Sequence, residues 1–177
     1  MKRLTIILSL ILISQFAFAN NGELFPAIAG ETLQHKIIEL PKSAKGKFCL
    51  IGMASSQKAE ADMQTWMQPV YDMFINQNTF IPIDYNLEMY FIPMFKANQQ
   101  KAYNMVFNKT KEEIDSELAP HVLFYKGSIS VYETQLKMVD NSKPYFFVLD
   151  ENGKIVYTTS GAYTKEKLEK IENLISE

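Results

Sequence analysis

The chain has 177 residues, a formal charge of −2, a single arginine, Arg3, and a single cysteine, Cys49. Bidentate recognition of phosphate is mostly an arginine task, so this composition argues against a nucleic-acid-binding surface or a basic membrane patch. One thiol cannot close an internal disulfide, so stability has to come from a packed core.

The first residues, "MKRLTIILSLILISQFAFAN", place Lys2 and Arg3 before an apolar run that ends in Ala17-Phe18-Ala19. A basic n-region, an apolar h-region and an A-x-A site predict a secretory signal peptide over residues 1–19, cleaved after Ala19. The apolar run is shorter than the ~20 residues of a spanning helix, and no later stretch is long enough, so no transmembrane anchor is expected after cleavage. Loss of Lys2 and Arg3 takes the mature charge to about −4. Residues 20–177 suffice for one domain with a real core.

"FPAIAGETLQHKIIELP" (25–41) reads as a β-hairpin, with its turn near Gly30-Glu31 and its end at Pro41. The uninterrupted apolar run from Phe48 to Ala54 fits a strand covered on both faces. Ala59, Met63, Trp66, Met67, Val70, Tyr71 and Phe74 then recur at helical spacing, with Ser55 or Ser56 as cap and Glu60 and Asp62 at the positive end of the dipole. Pro69 inside that pattern predicts a kink near Thr65-Trp66.

"TFIPIDYN" (79–86) predicts a strand that Pro82 assigns to an edge or a bulge. Beyond Leu87 the pattern weakens: 98–107 and 111–118 read as two helices broken at Asn108-Lys109-Thr110, which also matches a glycosylation consensus. "EMYFIPMF" (88–95) reads as core or as an exposed apolar patch, "HVLFYKG" as strand or loop, and "ISVYETQLKM" as a short helix. "PYFFVLDENGKIVYTTSG" is a hairpin turning at 150–153, and "TKEKLEKIENLISE" a terminal helix capped by Thr164, with Leu168, Ile171, Leu174 and Ile175 facing inward. This order of elements predicts an α/β sandwich around one mixed sheet.

The N-terminal hairpin, the strand running into a long Pro-containing helix, and "KPYFFVLDENGKIVYTTSGAYTKEKLEKIE" resemble the exported thioredoxin-like proteins. The last segment is also similar to the thioredoxin-fold assembly factors of mitochondrial ATP synthase, which lack a redox motif. The resemblance implies a thioredoxin-like three-layer sandwich, a central mixed sheet flanked by helices with an N-terminal β-hairpin. Where active members carry Cys-x-x-Cys this chain has Ser55-Ser56-Gln57-Lys58, with no sulfur for dithiol exchange. Pro144 stands where the family places a cis-proline, which would leave backbone groups of Lys143 free for strand addition by a partner.

The expected function is therefore that of a redox-inactive, protein-binding or assembly factor in the periplasm or cell envelope of a bacterium. Its partner-binding surface is expected at Ser55, Ser56, Gln57, Lys58, Lys143 and Pro144, with no cofactor and no metal. Cys49, within a strand, reads as a buried hydrophobe; as a reactive thiol it supports the alternative of a single-cysteine redox protein. Hydrolysis by Ser55 or Ser56 lacks a G-x-S-x-G elbow and has only His35 and His121 as histidine bases. Met63 and Met67, one turn apart, could hold Cu(I), but they share a helix face with Trp66, Val70 and Phe74 and read as core.

Overall fold

The structure is a computed structural model that describes residues 21–77 and 83–176. The predicted signal peptide lies outside the described residues, as do 79–82 of the predicted fourth strand; Ile83–Asn86, its remainder, has no strand conformation. The elements are β1 (Ile28–Thr32), β2 (Ile37–Leu40), β3 (Phe48–Ala54), α1 (Gln57–Phe74), β4 (Leu87–Lys96), α2 (Gln100–Glu113), β5 (Leu123–Gly127), α3 (Ile129–Gln135), β6 (Tyr145–Leu149), β7 (Ile155–Ser160) and α4 (Lys165–Ser176). The strands form one sheet in the order β2-β1-β5-β4-β3-β6-β7. Its three central strands are parallel, and the flanking pairs join antiparallel. This mixed sheet with helices on its faces is the thioredoxin-like α/β fold.

Alternation along the strands divides the core between the two faces. Leu50 and Ala54 of β3, Phe91 of β4 and Phe146 and Val148 of β6 pack with α1 and α4. Cys49, Ile51 and Met53, Tyr90, Ile92 and Met94, and Tyr145, Phe147 and Leu149 pack on the opposite face with Ile129 and Tyr132 of α3. Both faces are covered, so β3 reads as a continuous apolar run, as expected. "EMYFIPMF" belongs to β4, buried from Met89 to Phe95; of its two readings, core holds and exposed patch does not.

Helix α1 buries Ala59, Met63, Trp66, Val70 and Tyr71 and runs through Pro69. Trp66 is fully buried, stacks on Phe146 at 4.1 Å and donates through Nε1 to the Gly161 carbonyl at 3.0 Å. Helix α4 begins beside Thr164, whose Oγ1 accepts from the Lys167 amide, and buries Leu168, Ile171 and Ile175.

Three local expectations are corrected. The first hairpin turns at Leu33–Lys36, closed by the Thr32 amide donating to the Lys36 carbonyl, whereas Gly30 lies inside β1 opposite Ile38. Glycine is needed there because a Cβ would come within 2.8 Å of Leu123 Cβ. Helix α2 is continuous through Asn108-Lys109-Thr110; Asn108 and Lys109 are exposed, and the buried Tyr103 and Phe107 hold its inner face. The Lys143–Pro144 peptide is trans, the cis bond among the described residues being Leu40–Pro41. At Pro144 the chain reversal is made upstream by Asp140, whose Oδ1 accepts from the Ser142 amide and hydroxyl while its carbonyl accepts from the Lys143 amide.

Candidate functional site

Strand β3 ends at the sheet's centre, and Ser55 and Ser56 carry the chain into α1. Ser56 is extended at φ −149°, and its Oγ accepts from the Ala59 amide at 3.2 Å, satisfying one of the unpaired donors of the first turn. The same hydroxyl donates to the Asn141 carbonyl at 2.7 Å. One serine therefore caps the helix and ties it to the loop that precedes β6.

That loop has its own order. The Asp140 amide donates to the Tyr145 hydroxyl at 2.9 Å, and the Lys143 ammonium lies 3.1 Å from Asp140 Oδ2. Hydrogen bonds from the Ser142 hydroxyl and amide, then the bond from Lys143, lower the Asp140 carboxyl to about 2. The Pro144 carbonyl accepts from the Gly161 amide at 2.9 Å, which joins the loop to the end of β7.

The predicted surface residues thus divide by accessibility. Gln57, Lys58 and Lys143 are exposed, Ser55 and Ser56 are half-buried, and Pro144 is buried. The Lys143 amide and the Pro144 carbonyl are both engaged within the protein, so strand addition at those two groups would first have to break these bonds.

Sequence reasoning missed two members of this surface. Asn141 is bound by Ser56 through its backbone, which leaves no side-chain signature. Val139, 92% exposed, forms an apolar knob two residues from it, a feature visible only once the loop's path is known. From Gln57 a cleft of about 690 Å³ runs between α1 and α2, past Glu60 and Met67 on one wall and Met105 and Val106 on the other. Burial raises the Glu60 carboxyl above its ordinary range.

Cys49 is not part of this site. It is 1% exposed, within β3 between Glu88 of β4 and Leu149 of β6. Burial, helped by the nearby Glu88 charge, raises its thiol well above the ordinary range. The accessible, acidified thiol that the redox alternative requires is not what β3 provides. Met63 is buried in the core around Trp66, and Met67 packs against it from the cleft wall. Neither serine has a histidine among its hydrogen-bond partners: His35 pairs with Glu31, and His121 Nδ1 faces the Met89 carbonyl.

Residues 15–177 match the profile of a family described as ATP10 protein. The chain belongs to the ATP10 protein family.

Solved structures similar to this ATP10 family member are thioredoxin-like. The thioredoxin domain of a thiol-disulfide oxidoreductase from Bacteroides vulgatus matches at 14% identity and a TM-score of 0.59, over 88% of this chain and 97% of that one. An exposed lipoprotein thioredoxin from Streptococcus pneumoniae matches at 16% identity and 0.54, over 84% and 99%. StoA from Bacillus subtilis matches at 16% identity and 0.51, over 82% and 95%. At such identities the likeness concerns the fold. No curated protein matches the chain. Among the described residues no helix is long and apolar enough to cross a membrane.

Proposed function

We propose that this ATP10 family member is a redox-inactive, thioredoxin-fold assembly factor that binds another protein through the surface around the β3–α1 loop. In this reading the chain is exported by its N-terminal segment and works as one domain in the periplasm or cell envelope of a bacterium.

The observation that carries the reading is Ser56. At the junction where a thioredoxin-like enzyme presents a thiolate, this chain presents a serine whose hydroxyl is already spent on the Ala59 amide and the Asn141 carbonyl. The junction is a fixed structural joint with exposed neighbours, Gln57, Lys58, Lys143 and Val139, suited to contact. Burial of Cys49 supports the redox-inactive part, and membership of an assembly-factor family supports a protein as partner. The sequence "MKRLTIILSLILISQFAFAN" supports export.

The test is photo-crosslinking in the producing cell, with the reactive group placed in turn at Lys58, at Lys143 and at Glu151. Glu151 lies in the turn at the far end of β6 and serves as the control. One adduct of the same mass from Lys58 and Lys143, and none from Glu151, is expected. Adducts that ignore position would sink the protein-binding part. Disulfide reduction by the wild type above the level of Cys49→Ser would sink the redox-inactive part.

A further inference from the structure

A second cleft, of about 330 Å³, opens between the β1–β2 turn and the face of α2 opposite the α1–α2 groove. Its centre is Glu31 of β1, both of whose carboxylate oxygens are engaged: Oε1 with His35 Nδ1 at 2.7 Å and Oε2 with the Tyr103 hydroxyl at 2.5 Å. The Tyr103 bond, followed by that of His35, holds the Glu31 carboxyl below its ordinary range.

His35 reaches this position from a left-handed backbone, φ 61°, a conformation uncommon for residues with a Cβ and held here by its surroundings. Those surroundings are visible. Thr32 Oγ1 accepts from the amides of Gln34 and Lys36, and the imidazole stacks on Phe107 at 5.3 Å between centroids.

The remaining polar groups of the cleft are mostly donors. Lys126 of β5 sits 5.0 Å over the Tyr103 ring and reaches Gln100 Oε1, which leaves two of its three ammonium hydrogens. Lys111 has no ion pair among the described residues. Asn104 accepts from Gln100 through Oδ1, and its NH₂ is not used in that bond; Asn108 adds a further amide. Two lysines against one internally satisfied glutamate give the cleft a positive balance and a surplus of donors.

We propose that this cleft binds a small oxyanion-bearing ligand, a phosphate or carboxylate compound, held by Lys111 and Lys126 with the Asn104 and Asn108 amides against the His35–Phe107 stack. Glu31 positions His35 and Tyr103 and does not itself meet the ligand. The site stands apart from the protein-binding surface, because Asn104, Asn108 and Lys111 face this cleft while Met105 and Lys109 face the other.

The test is titration of the full chain with inorganic phosphate and, separately, with succinate at constant ionic strength, read by the backbone amide shifts of His35, Asn104, Asn108, Lys111 and Lys126. Saturable shifts at these positions with either probe are expected, and the tighter probe identifies the headgroup chemistry. In the Lys111→Gln, Lys126→Gln double variant the affinity should fall about tenfold or more, the worth of one charge-assisted hydrogen bond. His35→Gly, which suits the left-handed backbone, should weaken binding by removing the stacked wall while the fold is kept. Non-saturable shifts reproduced by sodium chloride, or an affinity unchanged in both variants, overturn the proposal.

Discussion

The hydroxyl of Ser56 and the carbonyl of Asn141 meet at 2.7 Å across 85 residues of sequence, at the point where α1 begins and the approach to β6 ends. Removing that hydroxyl also removes the helix cap. Ser56→Ala is therefore expected to cost about 1–2 kcal/mol, the sum of a lost cap and a lost tie. In thermal unfolding this is a fall of roughly 2–8 °C for a chain of this size. Ser55→Ala, with no such bonds, should melt within a degree or so of wild type. Equal losses from the two would show that the cap does not anchor the loop.

Cys49 should react with a small thiol reagent far more slowly in the folded protein than in denaturant, because β3 buries it. Its folded pKa is raised, so the stability it contributes is complete below the unfolded value near 9.0 and is lost as pH rises above that. Denaturation midpoints measured across alkaline pH should fall for wild type and fall less for Cys49→Ala. Fast labelling in the native state, with an apparent pKa below ~8.5, would restore the redox alternative.

Asp140 holds the loop before β6 through Ser142 and Lys143, and its carboxyl is lowered to about 2. Since the folded pKa lies below the unfolded one, the contribution is present above about pH 4 and disappears as pH falls through about 2. Carboxyl titration by NMR should place Asp140 near 2 in wild type. The Lys143→Ala variant should shift it upward by less than loss of the Ser142 hydroxyl does, because the Ser142 bonds come first. A normal carboxylate value would mean that the turn is open in solution.

Gly52 lies on β3 under the Phe146 ring, where a Cβ would stand 2.7 Å from Phe146 Cε1. Gly52→Ala must move that ring and with it the stack on Trp66. A loss of about 1–3 kcal/mol is expected from overpacking. The emission of Trp66, the only tryptophan, should shift red in the same variant. Unchanged emission with unchanged stability would show that the core yields there without cost.

The elements legible in the sequence were those whose burial leaves a clear period. Ala59, Met63, Trp66 and Val70 announce α1, Phe48–Ala54 announces a strand covered on both faces, and the Asp150–Gly153 turn announces the last hairpin. The middle was obscure for physical reasons. In β4 both faces are covered, so Tyr90 and Phe91 are both buried and no alternation survives; Pro93 closes its register with Ala54 of β3 just where pairing with β5 takes over. The continuity of α2 through Asn108-Lys109-Thr110 rests on Tyr103 and Phe107 packing against Phe124, which composition alone does not show.

The candidate site was legible as a place and not as a geometry. Position fixed Ser55–Lys58 at a strand-to-helix junction. The link to Asn141 is a backbone contact, and the exposure of Val139 follows from the path of the loop, so neither leaves a residue pattern to find.

The segment before β1 is bound to the sheet's outer strand: the Gly22 amide donates to the Ile155 carbonyl, the Ile155 amide to the Glu23 carbonyl, and the Phe25 amide to the Gly153 carbonyl. The Phe25 ring then meets Phe147 edge-on at 5.6 Å. This clasp sets how far the protein can be trimmed. A chain shortened to Asn21 keeps it whole, whereas one beginning at Pro26 bares the rim of β7 and a gap beside Phe147, and a bare rim is where sheets from separate molecules join.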